Sequence, residues 1–223
     1  SPFAILSLED APERHRLRSE LYAKQNFKQR PMTLPSRPKT KPSRLRIGYF
    51  SADFQDHATM YLMAKVFEAH DPEKFELYAY SFGPDKNDEM RQRLIKAVHV
   101  FDDVKMMNDK DIALLAQQDK IDIAVDLKGF TKGSRTGIFA YRAAPIQINY
   151  LGYPGTMGAN FIDYIIADKV VIPEKHEPSY NENIIHLPYS YQVNDNTRVI
   201  SECSMTRIEM GLPEQGFVFC CFN

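Results

Sequence analysis

Asp53, Asp56 and His57 stand close together in the polar stretch SADFQDHAT, directly after the apolar run LRIGYF. The apolar run reads as a buried strand, and helical periodicity resumes at Tyr61. In an open α/β sheet, ligands sit in the crevice beyond the carboxyl ends of the strands, so a histidine on the first such loop is placed for chemistry. His57 is therefore the leading catalytic candidate. The alternative is a loop histidine that caps the following helix or lies in solvent.

Two further loops are rich in small residues. Lys128-Gly129-Phe130-Thr131-Lys132-Gly133-Ser134-Arg135 follows the strand-like IDIAVDL and opens a helix expected over Thr136–Tyr141, whose unpaired N–H groups could hold an anion. The other reading is that these glycines only supply turn geometry. Tyr153-Pro154-Gly155-Thr156-Met157-Gly158 follows INYLG and reads as a tight turn that lets main chain approach a ligand. Tyr150 and Tyr153 beside it could stack on a sugar or pack in the core.

Other chemistries lack their residues. The first-strand loop has no glycine, which removes the Gly-x-Gly-x-x-Gly cradle of a dinucleotide site. No Gly-x-Ser-x-Gly elbow of a serine hydrolase appears. His15, His70, His176 and His186 have no partner at metal-ligand spacing, and His99 reads as a packed strand residue, so no metal site is expected. Cys203, Cys220 and Cys221 fit neither a disulfide framework nor a zinc site; they read as packing residues of a protein in a reducing compartment, the cytoplasm.

These loops need a scaffold. Strands are expected at Arg46–Ser51, Glu76–Phe82, His99–Asp102, Ile121–Leu127, Gln147–Leu151, Tyr164–Ala167, Ile184–Leu187 and Phe217–Phe222, with helices over Met60–Ala69, Asp88–Ala97 and Asp109–Gln118 between several of them. That alternation predicts an α/β fold with a mainly parallel sheet. Ahead of it, residues 1–30 form a separate helical segment in which Leu17, Leu21 and Tyr22 recur at helical spacing, with a start near Asp10. Residues 31–44, rich in proline and basic side chains, read as an extended linker, and 45–223 as one Rossmann-like lobe.

Composition narrows the partners. A chain of 223 residues, 43% apolar and 26% charged, is ordinary for a globular protein. Its net charge of -1 gives no general reason to expect nucleic acid or an anionic membrane, and no apolar stretch has the length of a membrane span.

Taken in order, GYFSADFQDHAT, DLKGFTKGSR, APIQINYLGYPGTMG and DYIIAD resemble successive motifs of the protein O-GlcNAc transferases, a family that includes the SPINDLY proteins. The opening SPFAILSLEDAPE looks like the segment that follows the family's tetratricopeptide repeats, and FVFCCFN like the strand entering the second half of its catalytic region. The resemblance implies one Rossmann-like lobe, the acceptor-side one, of a two-lobed GT-B enzyme. Such an enzyme moves GlcNAc from UDP-GlcNAc to Ser or Thr of a protein with inversion, its nucleotide sugar being a substrate and no cofactor being needed. The partners implied are a protein or peptide acceptor, the nucleotide sugar and a C-terminal catalytic lobe that supplies most uridine and diphosphate contacts. A non-catalytic binding module, a GDP-fucose transferase and an epimerase are the alternatives.

Position by position, His57 matches a histidine considered a general base or an acceptor-side polar group. Imidazole, with a reference pKa of about 6.5, suits proton removal from a hydroxyl. Thr59, Gly129 and Thr131 match substrate-binding loop positions, and Leu151, Gly152, Tyr153 and Pro154 match a turn lying against the donor sugar. The chain departs from the family at Ala58, where proline is common after the histidine, at Phe130, where many relatives carry histidine, and at Tyr189, where an acid is usual.

Overall fold

The computed structural model describes residues 1–28, 42–200 and 202–220; most of the expected linker lies outside them. Seven strands form one sheet: β1 (Leu45–Ser51), β2 (Phe75–Ser81), β3 (Val100–Asp103), β4 (Ile123–Asp126), β5 (Ile146–Asn149), β6 (Tyr164–Ala167) and β7 (Asn183–His186). Every neighbouring pair is parallel, in the order β3-β2-β1-β4-β5-β6-β7. The chain runs outward from β1 to β3 and returns to the far side of β1 with β4. The topological switch point, where such sheets bind ligands, thus lies between the carboxyl ends of β1 and β4.

The helices are α1 (Pro12–Asn26), α2 (Ala58–Ala69), α3 (Glu89–Ala97), α4 (Asp109–Gln118) and the single turn α5 (Gly137–Ala140). Asp88 and Asn108 cap α3 and α4 by accepting the N–H of Arg91 and Asp111, which satisfies donors that have no partner inside the helix. Alternate residues of the strands feed two layers. Phe50, Tyr80 and Ala124 pack with Ile112, Ala116 and Phe139 on one face, while Ile47, Tyr49, Leu77 and Val125 pack with Met60, Met63, Phe67 and Leu94 on the other.

Strands β1 to β7 fall within a residue or two of their sequence positions. The strand expected at Phe217–Phe222 does not form over its described part: Phe217 and Phe219 are exposed, and the segment to Cys220 pairs with no described strand. An apolar run becomes a strand only where a ladder partner exists. Cys203 and Cys220 are exposed and so do not pack, while Cys221 lies outside the described residues. His99 is exposed just before β3 and accepts the Leu77 N–H through Nδ1 at 3.2 Å.

The amino-terminal helix departs most from its periodicity. Leu17 and Leu21 are exposed, while Ser19 and Ala23 are buried. Small residues face the lobe because the contact is backbone-close: a Cβ on Gly158, at φ +58°, would lie 2.4 Å from the Glu20 nitrogen. The helix is docked rather than set apart, with Ala23 in the core and Tyr22 edge-on to Phe130. It begins at Pro12, after Ala11 rather than Asp10, and has no side-chain cap.

Candidate active site

Three loops converge at the carboxyl ends of β1, β4 and β5. Across the switch point, Lys128 Nζ donates to Asp53 Oδ2 at 2.6 Å, both residues being buried. His57 Nδ1 lies 3.7 Å from the same Asp53 oxygen, and the His57 side chain is 44% exposed. The ring also caps α2: Nδ1 accepts the Thr59 N–H at 3.2 Å and lies 3.2 Å from Thr59 Oγ1. The capping alternative for His57 is thus realised, and Thr59 is engaged by the imidazole.

That contact bears on proton transfer. With Nδ1 accepting from Thr59, a neutral ring carries its proton on Nε2 and presents a donor outward. With Nδ1–H turned toward Asp53, Nε2 keeps a free lone pair and can act as a base. The carboxylate held by Lys128 is the group that would support this second tautomer.

The β4 loop is folded over Asp126, a residue that sequence reasoning missed. Its Oδ1 accepts the N–H of Lys128 at 2.8 Å and of Gly129 at 3.0 Å, closing the turn. Gly129 sits at φ +53°, and a Cβ there would lie 2.3 Å from Tyr153 Cβ. Thr131 closes the next bend by donating from Oγ1 to the Lys128 carbonyl at 2.8 Å. Asp126 Oδ2 is buried without a partner, as is Oδ1 of Asn149, its register neighbour on β5. Burial pushes the Asp126 carboxyl up to about 6, against the pull of the two N–H bonds and the Lys128 charge.

A raised acid makes the native state hold more protons than the unfolded chain between the two pKa values, so this group's contribution to stability falls as pH rises through that window. Asp126→Asn keeps an acceptor for both N–H groups and removes the buried charge. From 3.8 to about 6, at about 1.4 kcal/mol per unit, the variant is expected to gain about 3 kcal/mol over the wild type. The gain should appear between pH 4 and 6 and persist above. Denaturant unfolding at several pH values checks it; a pH-independent difference would refute the buried-charge account.

On the third loop, Leu151 occupies the left-handed region at φ +67°, and Gly152 N–H bonds the Tyr150 carbonyl at 2.8 Å. This is a γ-turn on a residue with a branched side chain, a strained arrangement of the kind found at ligand sites. A Cβ on Gly152 would point into the lobe, 2.0 Å from the Leu127 carbonyl oxygen, so the glycine is needed there for close contact with the β4 loop. The Tyr153 ring, 2% exposed, belongs to the core beside Phe130, and Tyr150 is buried too. Both tyrosines take the packing reading, so Tyr153 can meet a ligand only through main chain. Pro154 is exposed, and with Leu151 and Tyr153 it borders an apolar cavity of about 140 Å³ whose other walls include Ile165, Ile172 and Tyr191.

An anion site, one of the two readings at the start of Thr136–Tyr141, is not built. The helix is one turn long, and the Asp109 carboxylate already lies against Gly137. A larger cavity, about 680 Å³, lies among Arg44, Arg46, Glu76, Lys120 and Asp122. It opens at the amino ends of the strands, opposite the switch point, and we place no chemistry there. Among the described residues no group of three His, Cys, Asp or Glu is arranged to hold a metal, and no helix is long and apolar enough to cross a membrane.

The three motif-bearing loops therefore meet where a parallel sheet binds ligands, in the chain order met in the sequence. Residues 20–208 match the family model described as Glycosyl transferase family 41. The chain belongs to that family. It is 43% identical over 198 residues to the probable UDP-N-acetylglucosamine–peptide N-acetylglucosaminyltransferase SEC of Arabidopsis thaliana, covering 86% of this chain and 20% of the relative. To the UDP-N-acetylglucosamine–peptide N-acetylglucosaminyltransferase of Caenorhabditis elegans it is 37% identical, over 70% of this chain and 14% of that one. Among solved structures, an O-GlcNAc transferase mutant of Thermobaculum terrenum superimposes with a TM-score of 0.76 at 31% identity, covering 82% of this chain and 35% of its own. The chain thus spans about a fifth or less of the curated relatives' length.

Proposed function

We propose that this chain is the acceptor-side lobe of an inverting protein glycosyltransferase that moves GlcNAc from UDP-GlcNAc to Ser or Thr hydroxyls of a protein. The observation that carries the reading is the meeting of His57, the Asp53–Lys128 pair and the strained Leu151 turn at the switch point. In this reading the acceptor oxygen attacks the anomeric carbon, UDP departs from the opposite face, and the hydroxyl proton passes to His57 Nε2. The reaction is supported by what the relatives of A. thaliana and C. elegans are named for.

The nucleotide sugar is a substrate, and we assign no cofactor or metal. The main chain of Leu151–Pro154 would lie against the sugar, Thr59, Gly129 and Thr131 would shape the floor, and a second lobe would hold uridine and diphosphate. The exposed apolar side chains of Ile208, Met210, Phe217 and Phe219 offer surface for such a lobe to cover. The setting is the cytoplasm, where the exposed thiols stay reduced.

The test is transfer by the full-length protein that carries this sequence, read as a mass increase on acceptor protein. UDP-GlcNAc is expected to give a HexNAc increment; an increment only with GDP-fucose would reassign the donor, and none with either would refute the reading. Residues 1–223 alone are expected to bind UDP weakly, because one wall of a cleft cannot desolvate its ligand. Micromolar affinity in a calorimetric titration would place the nucleotide on this lobe instead.

A further inference from the structure

Glu182 is a buried acid that the reaction leaves unused. It stands immediately before β7, 5% exposed, and reaches the turn that follows Leu151. Its Oε1 accepts the Met157 N–H at 2.7 Å, and its Oε2 accepts the Thr156 hydroxyl at 2.6 Å. Thr156 Oγ1 in turn accepts the N–H of Gly158 at 3.1 Å and of Asn181 at 3.2 Å.

The hydrogen-bond parity of this cluster is closed. A hydroxyl has two lone pairs and one proton; both lone pairs of Thr156 are taken, so its proton has to be given away. Glu182 therefore accepts at both oxygens, which an ionised carboxylate does with no proton of its own left to place. A glutamine would set its NH2 against either the Met157 N–H or the Thr156 O–H, donor against donor. From behind, α1 backs the same turn, with Gly158 against the Ser19–Glu20 main chain and Asn181 Nδ2 on Glu20 Oε1 at 2.9 Å.

We infer that Glu182 is a positioning residue for the donor sugar: its two acceptor oxygens fix the turn Thr156–Gly158, and that turn sets the main chain of Leu151–Pro154 at the sugar's height. The inference rests on the glycosyltransferase reading of this turn. Burial leaves the Glu182 carboxyl raised on balance, and the bonds from Thr156 and Met157 oppose that in part.

The experiment is initial-rate kinetics on the full-length protein with Glu182→Gln and, separately, Thr156→Ala, using UDP-GlcNAc as donor and UDP as competitor. Each folded variant is expected to raise KM for UDP-GlcNAc about tenfold, because Glu182→Gln sets donor against donor and Thr156→Ala leaves the Gly158 and Asn181 N–H groups without their acceptor, while kcat and inhibition by UDP change less than twofold. Hydrogen exchange read by mass spectrometry should quicken in the peptide spanning 153–158. A smaller active fraction would instead lower kcat with KM intact. That result, an unchanged KM in either folded variant, or failure of both variants to fold would overturn the inference. A wild-type protein that transfers no sugar overturns the underlying reading instead.

Discussion

Replacing His57 with Asn is expected to leave the lobe folded and to lower turnover of the full-length protein by about 10² to 10⁴, the usual contribution of general acid–base catalysis. The substitution separates two roles that the imidazole takes in different tautomers, capping through an unprotonated Nδ1 and acting as a base at Nε2 with its proton on Nδ1. As N-cap of α2, His57 has extended backbone at φ -153° and ψ 153° and accepts the Thr59 N–H. Asparagine is among the best N-cap residues and would accept the same N–H, so stability should change by less than about 0.5 kcal/mol. It cannot carry a proton at neutral pH. His57→Ala, by contrast, should lose both roles, with an added cost of about 1 kcal/mol in stability from the missing cap. Chemical denaturation and donor-saturated kinetics on the two variants make the comparison. A loss of turnover under threefold in the asparagine variant would assign His57 to the cap alone.

Gly152→Ala is expected to be the most damaging small substitution at the site. The added Cβ would lie 2.0 Å from the Leu127 carbonyl oxygen, 2.9 Å from its carbon and 3.2 Å from Lys128 Cα. These are main-chain atoms at the end of β4, and no rotamer change can clear them. To make room, the β5 loop must move off the β4 loop, which is itself pinned by Asp126 and by Gly129 against Tyr153. Overpacking of this kind costs about 2–4 kcal/mol, a fall of roughly 5–15 °C in Tm for a chain of this size. In the fraction that stays folded, UDP-GlcNAc binding should weaken more than UDP binding, because the displaced main chain of Leu151–Pro154 is the part proposed to lie against the sugar. A folded Gly152→Ala variant with wild-type Tm would show that the Leu127 carbonyl does not block a Cβ at Gly152.

The sequence determined, by itself, everything that depends on local period and local chemistry. Eight strand-like runs, seven of which form, separated by helical stretches and loops were enough to read a parallel α/β sheet, and the helical stretch read from Asp88 is the one that Asp88 caps. The loop that holds His57 was legible for the same reason: strand, polar loop and helix are written consecutively. The ordered motifs carried the family with them. What the sequence could not determine were relations between segments far apart along the chain. The pairing of Lys128 with Asp53 spans 75 residues and exists because β4 returns beside β1, a choice of strand order that no strand's own residues encode.

Burial followed the same division. Leu17 and Leu21 have helical spacing, yet Ser19 and Ala23 face the lobe, because only small side chains allow α1 to come within reach of Gly158. Phe217 and Phe219 have the composition of a strand but no partner ladder among the described residues. Gly152 could be read as making room for a ligand, and the tertiary structure shows that it makes room for the Leu127 carbonyl. Asp126 and Glu182 are invisible in sequence for the same reason: an acid becomes a structural acceptor only when folding buries it against N–H and O–H donors that local sequence cannot bring to it. Periodicity and caps act over a few residues of one segment, whereas close packing and the satisfaction of buried polar groups are decided where separate segments meet.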